Sequence, residues 1–223
     1  MDMDIDWVEP PQPGQVYPDG WIRSCWDDTL ATPSALNAFL ARWPPSRTPA
    51  YYAPWIAIRR IPWNTSTGAQ PNADPSTQGD IAGLVETFQS LVQTGTPITT
   101  ELLDTISSNH SVKSGKWMVF CDPSSIDTTW ADIARMVCFT RRRGQAKVSP
   151  RSVDAGGKPL DEDTHVICVY VDDYTDEEEV MKLRQDLRDV GIGWTLSFKP
   201  DSYTHLGIYS GNPWKVQPSR YYA

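Results

Sequence analysis

Between Ile81 and Gly191 the chain switches repeatedly between two hydrophobic periods, and few architectures accept that order. Ile81, Leu84, Val85, Phe88, Leu91 and Val92 recur at helical spacing behind Asp80, a ready N-cap. "GKWMVFCD" is a short apolar run between turn residues and predicts a central strand. Trp130, Ile133, Ala134 and Val137 give the next helical face, with Asp127 or Thr128 as its cap and Arg141-Arg142-Arg143-Gly144 at its end. "QAKVSPR" alternates as a strand, and "THVICVYVDDY" continues the sheet. In "YTDEEEVMKLRQDLRDVGIG", Thr175 with Glu178 makes a capping box, Val180, Leu183, Leu187 and Val190 form the stripe, and Gly191 is the stop. "WTLSFK" predicts a further strand. The alternation indicates α+β or α/β, and no parallel βαβ nucleotide signature favours a Rossmann sheet.

The flanks are less regular. Pro10, Pro11, Pro13 and Pro18 deny residues 1–20 regular hydrogen bonding, so an irregular arm is expected there, anchored by Trp7 and Trp21. Thr32 and Pro33 open a short helix bearing Leu36, Phe39, Leu40 and Trp43, which stops at Pro44-Pro45. "YYAPWIAIRR" predicts a strand, and the turn-rich segment from Asn64 to Asp80 a long mobile loop. With 223 residues, one domain over 21–223 is expected.

Composition narrows function. A net charge of −8 argues against a broad duplex-DNA footprint, which needs many Lys and Arg on phosphates. Cys25, Cys121, Cys138 and Cys168 are widely spaced, with no C-x-x-C and no paired His, so neither a metal site nor a cofactor is expected. Three of them sit in apolar runs, as buried thiols do in a reducing compartment. The N-terminus has neither the basic region nor the apolar core of a signal peptide, and no window reaches transmembrane length. The expected location is the cytosol, with nuclear access, and no membrane partner.

The most informative candidate site is cationic. Alternation puts Ala146 and Val148 on one face of "QAKVSPR" and Lys147, Ser149 and Arg151 on the other, with Lys158 in the following loop. Arg forks and Lys point charges suit phosphate oxygens, although a solvated sheet face is the plain alternative. The run Asp172, Asp173, Asp176, Glu177, Glu178 and Glu179 lacks EF-hand spacing and fits helix capping. Lys199, Asp201, Tyr203 and His205 share one parity if a strand runs through Pro200, which offers ligand contacts or, in His205 with Asp201, an acid-base pair. No Ser-His-Asp order, H-E-x-x-H, P-loop or nucleophile elbow accompanies them. Trp55, Trp63, Tyr170, Trp194 and Tyr203 are candidates for stacking on bases, against core packing as the ordinary use of an indole.

The order of "SGKWMVF", "DTTWADIARMV", "GQAKVSPR", "HVICVYVDD" and "DEEEVMKLRQDLRDVGI" resembles the cap-binding translation initiation factor 4E family. The whole chain is closer to the uncharacterised basophilic leukaemia-expressed protein family, through "AKVSPR", "HVICVYVDDYTDEEEV" and "KPDSYTHLGIYSGNPWK". The resemblance implies an α+β fold, a curved and mostly antiparallel sheet with helices on its convex face and a ligand slot on the concave one. Carried over, Trp63 stands for one base-stacking Trp, Tyr170 for a ring near the methyl group, and Arg151 with Lys147 or Lys158 for the phosphate clamp. Ile106-Ser107 falls where the family has its second Trp and its base-reading Glu, and Gln89 in "VETFQ" replaces the Trp that anchors scaffold partners.

The resulting expectation is a non-enzymatic protein that binds an RNA 5′ end or a phosphorylated nucleotide. Lys147, Ser149, Arg151, Lys158 and Lys199 would hold phosphate, and Trp63, Tyr170 and Tyr203 would stack. Two alternatives stand beside it: a protein-interaction module with a vestigial pocket, and an enzyme acting on a phosphorylated small molecule through His205 and Asp201.

Overall fold

The computed structural model describes residues 15–16, 20–28, 30–60, 79–154, 158, 160 and 164–223. Its elements follow in the order β1 (Gln15–Val16), β2 (Ile22–Trp26), α1 (Pro33–Arg42), β3 (Ile56–Arg60), α2 (Ile81–Gln93), α3 (Thr100–Asn109), β4 (Gly115–Cys121), α4 (Ile126–Arg135), β5 (Gly144–Val148), β6 (His165–Val171), α5 (Glu177–Asp189), β7 (Ser197–Pro200), α6 (Asp201–His205) and β8 (Tyr221–Tyr222). A π-helical turn, Met136–Arg141, extends α4. Four of the five strand pairs with defined register are antiparallel, and helices pack beside them, which makes the fold α+β. No helix among the described residues is long and apolar enough to cross a membrane. The chain divides into two compact units, residues 1–63 with 121–165 and residues 64–120 with 166–223.

In the first unit the strand order is β1-β2-β3-β5. Gln15–Val16 pairs with β2, so part of the expected irregular arm is a strand; the other residues before Gly20 lie outside those described. β2 and β3 run parallel, joined through α1, a parallel unit that carries none of the glycine signature of nucleotide-binding crossovers. Thr32 caps α1, its hydroxyl accepting from Ala35 N–H at 3.1 Å. Ile22, Trp26, Ile56, Ile58, Ala146 and Val148 bury one face of the strands, and Leu36, Phe39, Trp130, Ile133 and Val137 from the helices belong to the same apolar core. The cap expected at Asp127 is not used: α4 starts at Ile126, and Asp127 instead accepts from Ser46 N–H at 2.9 Å and Ser46 Oγ at 2.6 Å.

A buried arginine closes this unit. Arg60 is 3% exposed, donates to the Cys138 and Trp26 carbonyls at 3.1 and 3.2 Å, and pairs with Asp28. Arg142, in the left-handed region at φ 54°, also reaches Asp28 at 2.6 Å. The bond from Arg142, then that from Arg60, holds the Asp28 carboxyl below its usual range against the opposing effect of burial.

In the second unit the order is β6-β4-β7-β8. Trp117 packs edge-on to Phe198 at 5.3 Å, and its indole N–H donates to the Val180 carbonyl of α5 at 3.0 Å. Leu84 and Phe88 of α2, Leu103 and Ile106 of α3, Tyr203 of α6, and Ile208 form one apolar cluster. Asp80 caps α2, accepting from Gly83 N–H at 2.8 Å. The cap of α5 is Asp176, which accepts from Glu179 N–H at 3.1 Å; Thr175 donates to Asp173, so the capping box expected at Thr175 does not form. The acidic run thus serves capping and Lys113, which bonds Asp173 at 3.2 Å.

Candidate functional site

Burial alternates along β2 and β3, and the residues turned away from the core are not the usual polar assortment. In register, Arg23 pairs Ala57 and Ala57 pairs Lys147, while Cys25, Arg59 and Gln145 form the next row. Arg23, Arg59 and Lys147 therefore share one sheet face, all half-buried. Trp21 and Trp55 stand immediately before β2 and β3, and the parallel register that aligns Ile22 with Ile56 brings the two indoles together. Their ring centroids are 6.0 Å apart at a 48° tilt. The Lys147 ammonium lies 4.1 Å from the Trp55 centroid and 4.6 Å from that of Trp21, and the Arg23 guanidinium lies 4.6 Å from Trp21. Each such contact is worth about 0.5–1 kcal/mol where water reaches it. Two π-faces and three cations thus occupy one surface of a chain that is acidic overall.

The residues expected to form one site are spread over both units. Lys147 is on this face, and Ser149 continues its parity just beyond β5. Arg151 is held by backbone: it bridges Pro49, its N–H donates to the Thr48 carbonyl at 2.8 Å, and its carbonyl accepts from Ala50 at 2.9 Å. Lys158 is exposed, with its N–H on Asp154 at 2.9 Å. Trp63 lies outside the described residues, as does nearly all of the loop expected from Asn64 to Asp80. Trp194 is 48% exposed and follows α5 in the second unit.

Lys199, Asp201, Tyr203, His205 and Tyr170 belong to the second unit. The strand expected to run through Pro200 ends there, because Pro200 has no N–H to continue the ladder and Asp201 N–H turns to the Ser114 carbonyl at 2.8 Å. Asp201–His205 is a helical turn, which removes the shared strand parity. Tyr203 is 1% exposed inside the apolar cluster and presents no ring to a ligand. Gly207 to Trp214 is a series of turns, and Trp214 packs on Phe88 at 5.0 Å. Burial, then the charges of Cys168 and Asp201, pushes the Tyr170 hydroxyl well above its ordinary range.

Sequence reasoning missed Trp21 as a partner of Trp55. The available signal was the repeated Trp-Ile in "WIRSCW" and "WIAIRR", each starting a strand with the same phase.

The sequence profile described as "Basophilic leukemia-expressed protein Bles03" matches residues 89–207. The chain belongs to that family. The matched span includes Lys116, Lys147, Lys199, Asp201 and His205 and begins after Trp21 and Trp55. Among solved structures, a schistosome eIF4E complexed with m7GpppA and 4E-BP is similar, at 15% identity and a TM-score of 0.36. The likeness covers 50% of this chain and 59% of that one.

Proposed function

We propose that the protein binds a phosphorylated nucleotide, free or at an RNA 5′ end, on the outward sheet face of the first unit. The observation that carries this reading is the Trp21–Trp55 pair with Lys147 against both rings. Stacking accepts any base, and adjacent cations complement phosphate oxygens. Lys147, Arg23 and Arg59 supply that charge, with Ser149 as a hydroxyl donor beyond the strand end. A ligand base displaces the ammonium from one indole, and the ammonium then turns to phosphate, so a cation–π contact is exchanged for a charge-assisted one. Selectivity for a methylated guanine has no support at Ile106 and Ser107, which α3 buries at 4% and 0% exposure.

The test is quenching of tryptophan fluorescence by GTP and by a short 5′-phosphorylated RNA, in wild type and in Trp55→Ala. Losing one stacking face, worth about 1–3 kcal/mol, weakens binding roughly 5- to 150-fold. Equal affinity of the two proteins would refute the assignment.

A further inference from the structure

In the second unit, Lys116 of β4 and Lys199 of β7 are direct cross-strand partners, and both are nearly closed off, at 8% and 6% exposure. Like charges directly opposite on a sheet repel, and burial adds a desolvation penalty. One carboxylate is engaged on Lys116's side of the pair. Asp201 Oδ1 accepts from Lys116 Nζ at 2.5 Å and Oδ2 from Ser114 Oγ at 2.5 Å, while Lys116 also donates to Thr204 Oγ1 at 3.1 Å. Lys199 instead rests on the ring of Tyr209, with Nζ 3.6 Å from its centroid, and Tyr209 is 52% exposed. The ammonium therefore sits against a ring that solvent reaches. His205 lies one turn after Asp201 on α6, and Tyr170 of β6 is close enough to feel the Asp201 charge. Among these neighbours, Lys116, Asp201, His205, Tyr170 and Tyr209, only Asp201 brings a negative charge near neutral pH.

We propose that Lys199 is a reactive amine that condenses with a small carbonyl compound bearing a carboxylate or phosphate. While Lys199 is protonated, two ammonium groups against one carboxylate give a cationic surplus that draws in the anionic group; Lys116 stays committed to Asp201, so it is Lys199 that then loses its proton and acts as the nucleophile. Burial, then the charge of Lys116, lowers the Lys199 amine to about 8, so an appreciable fraction is unprotonated near neutral pH. That ammonium first gives a proton to solvent. Its lone pair attacks the carbonyl carbon, forming a C–N bond as the π pair moves onto oxygen. The carbinolamine then expels that oxygen with both amine hydrogens as water and leaves an imine, with no oxidant or reductant consumed. The inference is independent of the nucleotide face, since it uses none of Trp21, Trp55 or Lys147.

The test treats the full chain with pyridoxal 5′-phosphate, traps imines with sodium cyanoborohydride, and maps adducts over the seven lysines by peptide mass spectrometry. Lys199 is expected to label first at neutral pH, with a rate midpoint near 8, ahead of the exposed Lys158, Lys182 and Lys215. Propanal, which lacks an anionic group, is expected to label Lys199 more slowly. Lys116→Gln moves the Lys199 midpoint upward by removing the like charge. Tyr209→Leu, at an exposed position that tolerates change, moves it downward by removing a ring face that favours the charged amine. Labelling of Lys199 no faster than the exposed lysines at neutral pH would overturn the proposal. Equal rates with propanal, or a midpoint unmoved in the Tyr209 variant, would do the same.

Discussion

Replacing Arg184 with Met is expected to cost more stability than any ordinary surface substitution, because of where its guanidinium ends. Arg184 is 0% exposed, and it donates Nε to the Ala223 carbonyl at 3.1 Å, Nη1 to Ile192 at 2.9 Å and Nη2 to Trp194 at 2.7 Å, with Trp117 stacked at 6.0 Å. One side chain thus fastens the end of α5 to the segment before β7 and to the last residues. Met keeps the unbranched apolar stem, ends about where Nε stands, and satisfies none of the three acceptors. Charge-assisted bonds contribute about 1.5–3 kcal/mol each, and the desolvation of a buried guanidinium offsets part of that sum. The net loss is then about 3–5 kcal/mol, a large share of the roughly 5–15 kcal/mol that holds a typical fold. Urea titration should show a lower midpoint at unchanged slope. Arg184→Lys should recover less than half the loss, since an ammonium lacks the planar fork that reaches three carbonyls at once. A loss below about 1 kcal/mol for the Met variant would refute the reasoning, because it would mean the three bonds merely replace equivalent ones to water.

Two further outcomes follow from charge. Lys199→Met should stabilise the fold at neutral pH: the folded amine is lowered to about 8 from an unfolded value of about 10.4, so the penalty is full below 8 and fades as pH rises to 10.4. Stability of the two proteins measured across that window should converge at its alkaline end, and a gap that widens with pH would contradict the assignment. At the acid end, the bond from Gly83 N–H, then that from His110, holds the Asp80 carboxyl low, so its contribution is present above the unfolded value and is lost as pH falls through the lower folded one. Asp80→Asn keeps the cap of α2 but should flatten the acid limb of the stability curve, whereas Asp80→Ala should lower the curve at neutral pH as well.

Much of the fold was legible because it rests on local periodicity. The stripe of α2 and the buried alternation of Ala146 and Val148 follow directly from residue spacing. The helix α3 was hidden because "TELLDTISSN" buries only Leu103, Ile106 and Ser107, too few to stand out among polar neighbours. Asp176 took the cap of α5 from Thr175 because Asp173 claimed the threonine hydroxyl, a competition among adjacent side chains that spacing does not rank. Tyr203 and His205 were misplaced for a longer-range reason: the turn after Pro200 is fixed by Ser114, far away in sequence. The candidate site was legible by half. Alternation marked Lys147, but pairing Trp21 with Trp55 required knowing that β2 and β3 are parallel, a fact of tertiary register.

The most direct test of the nucleotide reading is calorimetric titration of the intact protein with GTP, 7-methylguanosine triphosphate, and one short RNA carrying either a 5′-phosphate or a 5′-hydroxyl, at low and moderate salt. Binding near micromolar affinity, weakened by salt, lost with the 5′-hydroxyl RNA, abolished by Lys147→Glu and similar for the two nucleotides would agree with a face that stacks a base and holds phosphate. No heat with any of these ligands, or full affinity in Lys147→Glu, would contradict it.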